Sequence, residues 1–227
     1  MPRKSVWKAI IKKMLKKILC YGDSNTWGYI PGSGKRFSYP KRWTGLLKSL
    51  LPQDYQIIEE GLNGRTVAWN DPSHPGRNGL VYLLPCLESH QPIDLIIILL
   101  GTNDLKNYFQ GNIHGIGLNM ERMIHLIQQS EAGRDNRSPQ IILLSIPYVL
   151  DQAILDASFQ NSHEKSVQLA EEYKKVAFKN NCHFINISAL IQASPIDGVH
   201  LDETNHKRLA EYLYTQIYHK FTPVSNQ

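Results

Sequence analysis

A chain of 227 residues, 42% of them hydrophobic, is long enough to enclose one sizeable core, and its three scattered cysteines exclude a disulfide-stapled scaffold. The net charge of +5 does not indicate nucleic-acid binding, because seven of the 25 basic residues crowd into residues 1–17, which hold no acid. The remainder carries 18 basic against 20 acidic groups and is slightly acidic.

In chain order, residues 1–16 form a basic extension in which Trp7, Ile10, Ile11, Met14 and Leu15 recur at helical spacing opposite the lysines. Three readings stay open for it: weak contact of residues 1–17 with an anionic membrane surface, a solvated extension docked on its own domain, or a run upstream of a natural beginning near Met14. Lysines interrupt every apolar run there, so neither a signal-peptide core nor a spanning helix is expected, and the expected location is the cytoplasm.

Residues 17–221 read as one domain, followed by a tail over 222–227. Five short apolar runs predict buried strands at Lys17–Tyr21, Tyr55–Glu60, Leu95–Leu100, Ile141–Ile146 and His183–Ile187. Helices are predicted at Trp43–Leu51, Leu80–Ser89, Leu118–Gln129, Ser162–Lys179 and from Glu203 to about His219. Alternating strands and helices imply a five-stranded parallel sheet in a three-layer α/β/α sandwich. The stretches 31–41, 69–78 and 131–139, rich in Gly, Pro, Asn and Ser, are loops. The middle one is expected to wall a pocket or form a subunit contact.

Ligands of an open parallel sheet bind beyond the carboxyl ends of its strands. Ser24 follows the first predicted strand, Gly64 the second and Asn103 the third, while Asp197 and His200 fall in the loop after the fifth. A serine hydroxyl becomes a nucleophile when an imidazole takes its proton, and the imidazole needs a carboxylate to fix its tautomer and stabilise its charged form. Ser24, His200 and Asp197 are the residue types for that relay. Taken singly, each has a structural alternative: Ser24 as a helix N-cap, and Asp197 with His200 as a turn capping the last helix.

The four blocks Gly22-Asp23-Ser24-Asn25, Gly61-Leu62-Asn63-Gly64-Arg65-Thr66, Gly101-Thr102-Asn103-Asp104 and Asp197-Gly198-Val199-His200 resemble those of the SGNH, or GDSL, hydrolases over residues 17–220. Arg42-Trp43-Thr44-Gly45 and the run around Pro85-Cys86 resemble that family's arylesterase/acyltransferase branch. The resemblance implies a flavodoxin-like fold, with Ser24 as nucleophile, His200 as base and then acid, and Asp197 orienting His200. It also implies an oxyanion hole from the Ser24 N–H, the Gly64 N–H and the Asn103 amide. Trp27 is expected to bind substrate, and Arg65 and Tyr148 are weaker pocket candidates.

The implied activity is hydrolysis of small esters (short-acyl, aryl or simple alkyl) through an acyl-enzyme, with acyl transfer as an added capacity and no cofactor. A carbohydrate or lipid deacylase using the same residues is the alternative within enzymes, and a noncatalytic membrane-surface protein is the alternative outside them. Branch resemblance also implies a homo-oligomer. No metal site is read: the nine histidines form no His-Glu-x-x-His pattern, and the cysteines form no Cys-x-x-Cys or Cys/His cluster. Gly32-Ser33-Gly34-Lys35 lacks the first glycine and the Ser or Thr of a phosphate loop and reads as a surface turn.

Overall fold

The protein is described by a computed structural model over residues 16–151 and 155–221. The tail 222–227 and the extension, apart from Lys16, lie outside the described residues. Five parallel strands form one sheet in the order β2-β1-β3-β4-β5: β1 (Lys16–Gly22), β2 (Tyr55–Gly61), β3 (Leu95–Leu99), β4 (Gln140–Leu144) and β5 (His183–Ile185). The helices are α1 (Ser24–Trp27), α2 (Trp43–Leu50), α3 (Gly79–His90), α4 (Ile113–Gln129), α5 (His163–Lys179) and α6 (Glu203–Phe221).

The period of two along each strand divides the core into two layers. Leu19, Tyr21, Ile96, Ile98 and Leu143 face α3, α4 and α5. Ile18, Cys20, Leu95, Ile97, Leu99 and Leu144 face α2 and α6. β3 is wholly apolar and buried because both its faces are covered, as a central parallel strand requires. Each such side chain contributes about 1.5–3 kcal/mol of burial.

The sheet layout follows expectation, and the differences lie at element ends. β3, β4 and β5 stop short of their predicted ends, and side chains take up backbone groups beyond two of them. The Leu100 carbonyl accepts from the Tyr173 hydroxyl at 3.0 Å, and the Ile187 N–H donates to Ser145 Oγ at 3.0 Å. α4 begins at Ile113 rather than Leu118, and the one-turn α1 was not anticipated. No helix among the described residues is long and apolar enough to cross a membrane.

Candidate active site

The chain order places β1 between β2 and β3, so the direction of winding reverses between β1 and β3 and opens a crevice at their carboxyl ends. β1 ends at Gly22, and Asp23 caps α1: its Oδ1 accepts from the Asn25 N–H at 2.9 Å. With Asp23 at the cap position, Ser24 is the first helical residue and its hydroxyl is not used as a cap. Ser24 Oγ instead lies 2.9 Å from His200 Nε2.

His200 is oriented from its other side. His200 Nδ1 lies 2.8 Å from Asp197 Oδ2, which also accepts from the Gly32 N–H at 3.0 Å. Asp197 Oδ1 accepts from the Val199 and His200 N–H groups at 3.1 and 3.0 Å. Burial alone would raise this carboxyl, but the hydrogen bonds from His200 and Val199 overcome it and hold it at about 2. Asp197 is therefore an anion at neutral pH, the state that stabilises an imidazolium. Tyr29 stacks on the His200 ring, with centroids 4.2 Å apart.

Asn25 joins the two distant segments. Its Oδ1 accepts from the Leu201 N–H at 2.9 Å and its amide reaches the Val199 carbonyl at 3.5 Å, so the turn carrying Ser24 is fastened to the loop carrying His200. Sequence reasoning gave Asn25 no role. Its position beside Ser24 in the first block was the only signal available.

Gly64 and Asn103 line the same cavity as Ser24 and His200. Gly64 adopts φ 76°, a left-handed conformation that follows the carboxyl end of β2. Among the described residues neither the Ser24 N–H nor the Gly64 N–H donates to another protein group, which leaves both for a ligand oxygen. Asn103 Nδ2 donates to the Arg65 carbonyl at 3.0 Å; this uses one of its two amide hydrogens and fixes the direction of the other.

Next to Ser24 and Asn103 in the chain are two buried carboxyls, Asp23 and Asp104. Both Asp104 oxygens accept from the Val67 N–H, at 3.1 and 2.9 Å, tying the segment after β2 to the turn after β3. Burial pushes the Asp104 carboxyl up to about 8; the Val67 bond opposes that rise and the neighbouring Asp23 adds to it. Burial also raises Asp23 above the ordinary carboxylate range.

The cavity over Ser24 has a volume of about 250 Å³ and is walled by Tyr29, Asn63, Lys106, Leu155, Phe159 and Val199. Trp27 does not line it. Its indole lies beneath Arg36, whose guanidinium carbon stands 4.8 Å from the ring, while Tyr29 is among the residues that wall the cavity. Arg65 lies over Tyr21 and Tyr148 lies near His163, both away from the cavity wall. The loop 69–78 does wall a neighbouring cavity, of about 560 Å³, which adjoins the first at Lys106 and Asp156. A cavity of about 280 Å³ at the amino edge of the sheet, near Lys16, Asp94 and Arg134, holds no hydroxyl–imidazole pair.

The sequence profile of the GDSL-like Lipase/Acylhydrolase family matches residues 20–208. Among solved structures, the native aryl esterase of M. smegmatis is 34% identical, with a TM-score of 0.84 over 90% of this chain and 99% of that one. A carbohydrate acetylesterase from Sinorhizobium meliloti is 33% identical, with a TM-score of 0.84 over 90% of this chain and 99% of that one. A member of the lipolytic G-D-S-L family from Veillonella parvula, at 16% identity and a TM-score of 0.66, shares the fold. No curated protein matches the chain. With the family profile covering most of its length, and with esterases of like sequence and structure beside it, the chain belongs to the GDSL-like lipase/acylhydrolase family and is a hydrolase of carboxylic esters.

Proposed function

We propose that this enzyme hydrolyses small carboxylic esters, with short acyl groups and aryl or simple alkyl alcohols, through an acyl-enzyme on Ser24. The observation that carries this reading is the chain of contacts from Ser24 Oγ to His200 Nε2 at 2.9 Å and from His200 Nδ1 to Asp197 Oδ2 at 2.8 Å. His200 takes the Ser24 proton as Oγ attacks the ester carbonyl, and the imidazolium then gives that proton to the departing alcohol. The tetrahedral oxyanion is met by the Ser24 and Gly64 N–H groups and the free Asn103 amide hydrogen. Water repeats the sequence to release the acid, and an added alcohol in its place yields acyl transfer.

A cavity of about 250 Å³ walled by Tyr29, Leu155, Phe159 and Val199 suits a short acyl chain. The test is a chromogenic acetate ester with the wild type and Ser24→Ala. The variant should lose on the order of 10⁴–10⁶-fold in kcat while remaining folded. Equal rates in both would defeat the proposal.

A second reading, deacetylation of saccharides, is favoured by the adjoining cavity of about 560 Å³. There Asn70, Ser73 and His74 supply polar groups beside the aromatic faces of Tyr108 and Phe109. Under that reading Tyr108→Ala lowers kcat/KM for an acetylated saccharide and spares an aryl acetate. Equal effects on the two substrates would favour the small-ester reading.

A further inference from the structure

Far along the sequence from Ser24 and His200, three unlike metal-ligating side chains meet between the edge strand β2 and α3. Cys86 and His90 stand four residues apart on α3 and so share one face of the helix. Glu60, at the carboxyl end of β2, faces them. One ligand atom from each of Glu60, Cys86 and His90 lies within 4.8 Å of the other two. The Cys86 side chain is buried, whereas Glu60 and His90 are 19% and 30% exposed. The cluster therefore combines a fixed thiol on the inside with an imidazole and a carboxylate that reach solvent.

We propose that Glu60, Cys86 and His90 bind a zinc ion, with water in the fourth position. Zinc bonds of about 2.0–2.3 Å to sulfur, nitrogen and oxygen place tetrahedral ligands about 3.3–3.8 Å apart. A spread within 4.8 Å thus closes by about 1 Å, through rotation of the two partly exposed side chains. His90 Nε2 lies 2.7 Å from Glu60 Oε1, so the two already converge, and the metal replaces that contact. On binding, the Cys86 S–H bond breaks, its proton passes to solvent and a zinc–thiolate bond forms. Thiolate and carboxylate together neutralise the ion.

The donor set also limits which ion fits. One thiolate with one imidazole selects zinc or cobalt over magnesium and calcium, which prefer oxygen ligands. Lys17 Nζ donates to the His90 carbonyl at 3.1 Å, and the cation beside Glu60 is Arg65, whose Nη2 lies 4.0 Å from Glu60 Oε2. The same side chain is anchored by a 2.9 Å bond to the Gly22 carbonyl, so it stays in place while Glu60 turns toward the metal. The two elements joined are β2, an edge strand, and α3, which meet through the His90–Glu60 contact. A metal there acts as a clasp at the sheet margin. No sequence pattern marks it, because Glu60 lies well upstream and Cys-x-x-x-His alone matches no zinc pattern.

The test is titration of the metal-free full-length chain with cobalt(II) under a non-chelating phosphine reductant, followed by zinc competition. Expected are one cobalt per chain with a near-ultraviolet thiolate-to-cobalt charge-transfer band, displacement by zinc, and a higher unfolding temperature with zinc present. Cys86→Ala removes the band. His90→Gln, at a partly exposed position that leaves the core intact, weakens binding at least tenfold. A wild type without the band, or variants that bind cobalt as the wild type does, would overturn the proposal.

Discussion

Replacing Asn103 by Asp separates the oxyanion role from a merely structural one. The amide hydrogen aimed into the cavity is lost, and a carboxylate takes its place beside the position where the ester oxygen becomes negative. Two unit charges about 3 Å apart at an effective dielectric of about 20 repel by about 5.5 kcal/mol, which is about 10⁴-fold in rate. The bond from Asn103 Nδ2 to the Arg65 carbonyl is lost as well, leaving a buried acceptor unpaired at a cost of about 1–3 kcal/mol in stability. Gly64→Ala is the matched control, since it perturbs the same hole and keeps the donor. A Cβ built on Gly64 meets only the Arg77 side chain, at 3.5 Å, and the strain of an alanine at φ 76° is about 1–2 kcal/mol. Measured as kcat/KM on a chromogenic acetate, with folding checked by thermal unfolding, Asn103→Asp should fall about 10⁴-fold and Gly64→Ala less than about tenfold. Comparable activity in two folded variants would refute the assignment of the Asn103 amide to the oxyanion.

Asp104→Asn should keep most of its activity, because a carboxyl raised to about 8 is already protonated at neutral pH and the amide oxygen still accepts from Val67. Its sign in stability is that of a raised carboxyl: the wild type is stabilised below about pH 4, loses that contribution as pH rises to about 8, and the variant lacks this decline; parallel unfolding midpoints from pH 4 to 8 would contradict it. His206 has the opposite sign. Its buried ring accepts from the Trp43 N–H and burial lowers it to about 4, so its contribution is present above about pH 6.5 and about 3 kcal/mol is lost as pH falls to 4. His206→Asn should flatten that acid limb in urea titrations, and an unchanged limb would assign the acid sensitivity elsewhere. Asn25→Ala leaves the Leu201 N–H buried without its acceptor, so kcat should drop at least tenfold with KM nearly constant; wild-type kcat would remove Asn25 from the positioning of His200.

The order of elements was legible because buried parallel strands are short apolar runs and the helices between them keep a 3.6-residue period. Ser24, Gly64, Asn103, Asp197 and His200 were legible because each follows a strand, and a parallel sheet sends every strand's carboxyl end to one edge. α4 starts at Ile113, five residues before its predicted start, and Gly117 in that added stretch packs closely: a Cβ on it would come within 2.6 Å of Glu172 on α5. Trp27 ends α1 and stands beside Arg36, a side-chain direction set by the turn after β1 that no sequence pattern reports. The cavity wall was not legible either, since Tyr29, Lys106, Leu155 and Phe159 come from loops whose paths are set by tertiary contacts. Among these contacts is Glu59, which takes Arg36, Arg42 and Thr44 together and so fixes the 36–44 segment.

The residues joining the four segments are as informative as those facing the cavity. Asp23 shapes the turn that presents Ser24, Asn25 fastens that turn to the His200 loop, Asp104 holds the segment after β2, and Asn103 is bonded to that same segment through the Arg65 carbonyl. The bonds of Asn25, Asp104 and Asn103 cross between chain segments, and all four are sheltered from water, where a satisfied polar pair is rigid and an unsatisfied one is costly. On the proposed reading, the donors facing the cavity are therefore fixed before any ester arrives, and little reorganisation is needed when the oxyanion forms. Asp104 carries this logic furthest, because it follows Asn103 directly and is buried, and on the proposed reading an ionised carboxylate there would oppose the oxyanion. Burial pushes its carboxyl up to about 8, so the packing that keeps the donors aligned also disfavours a competing negative charge there.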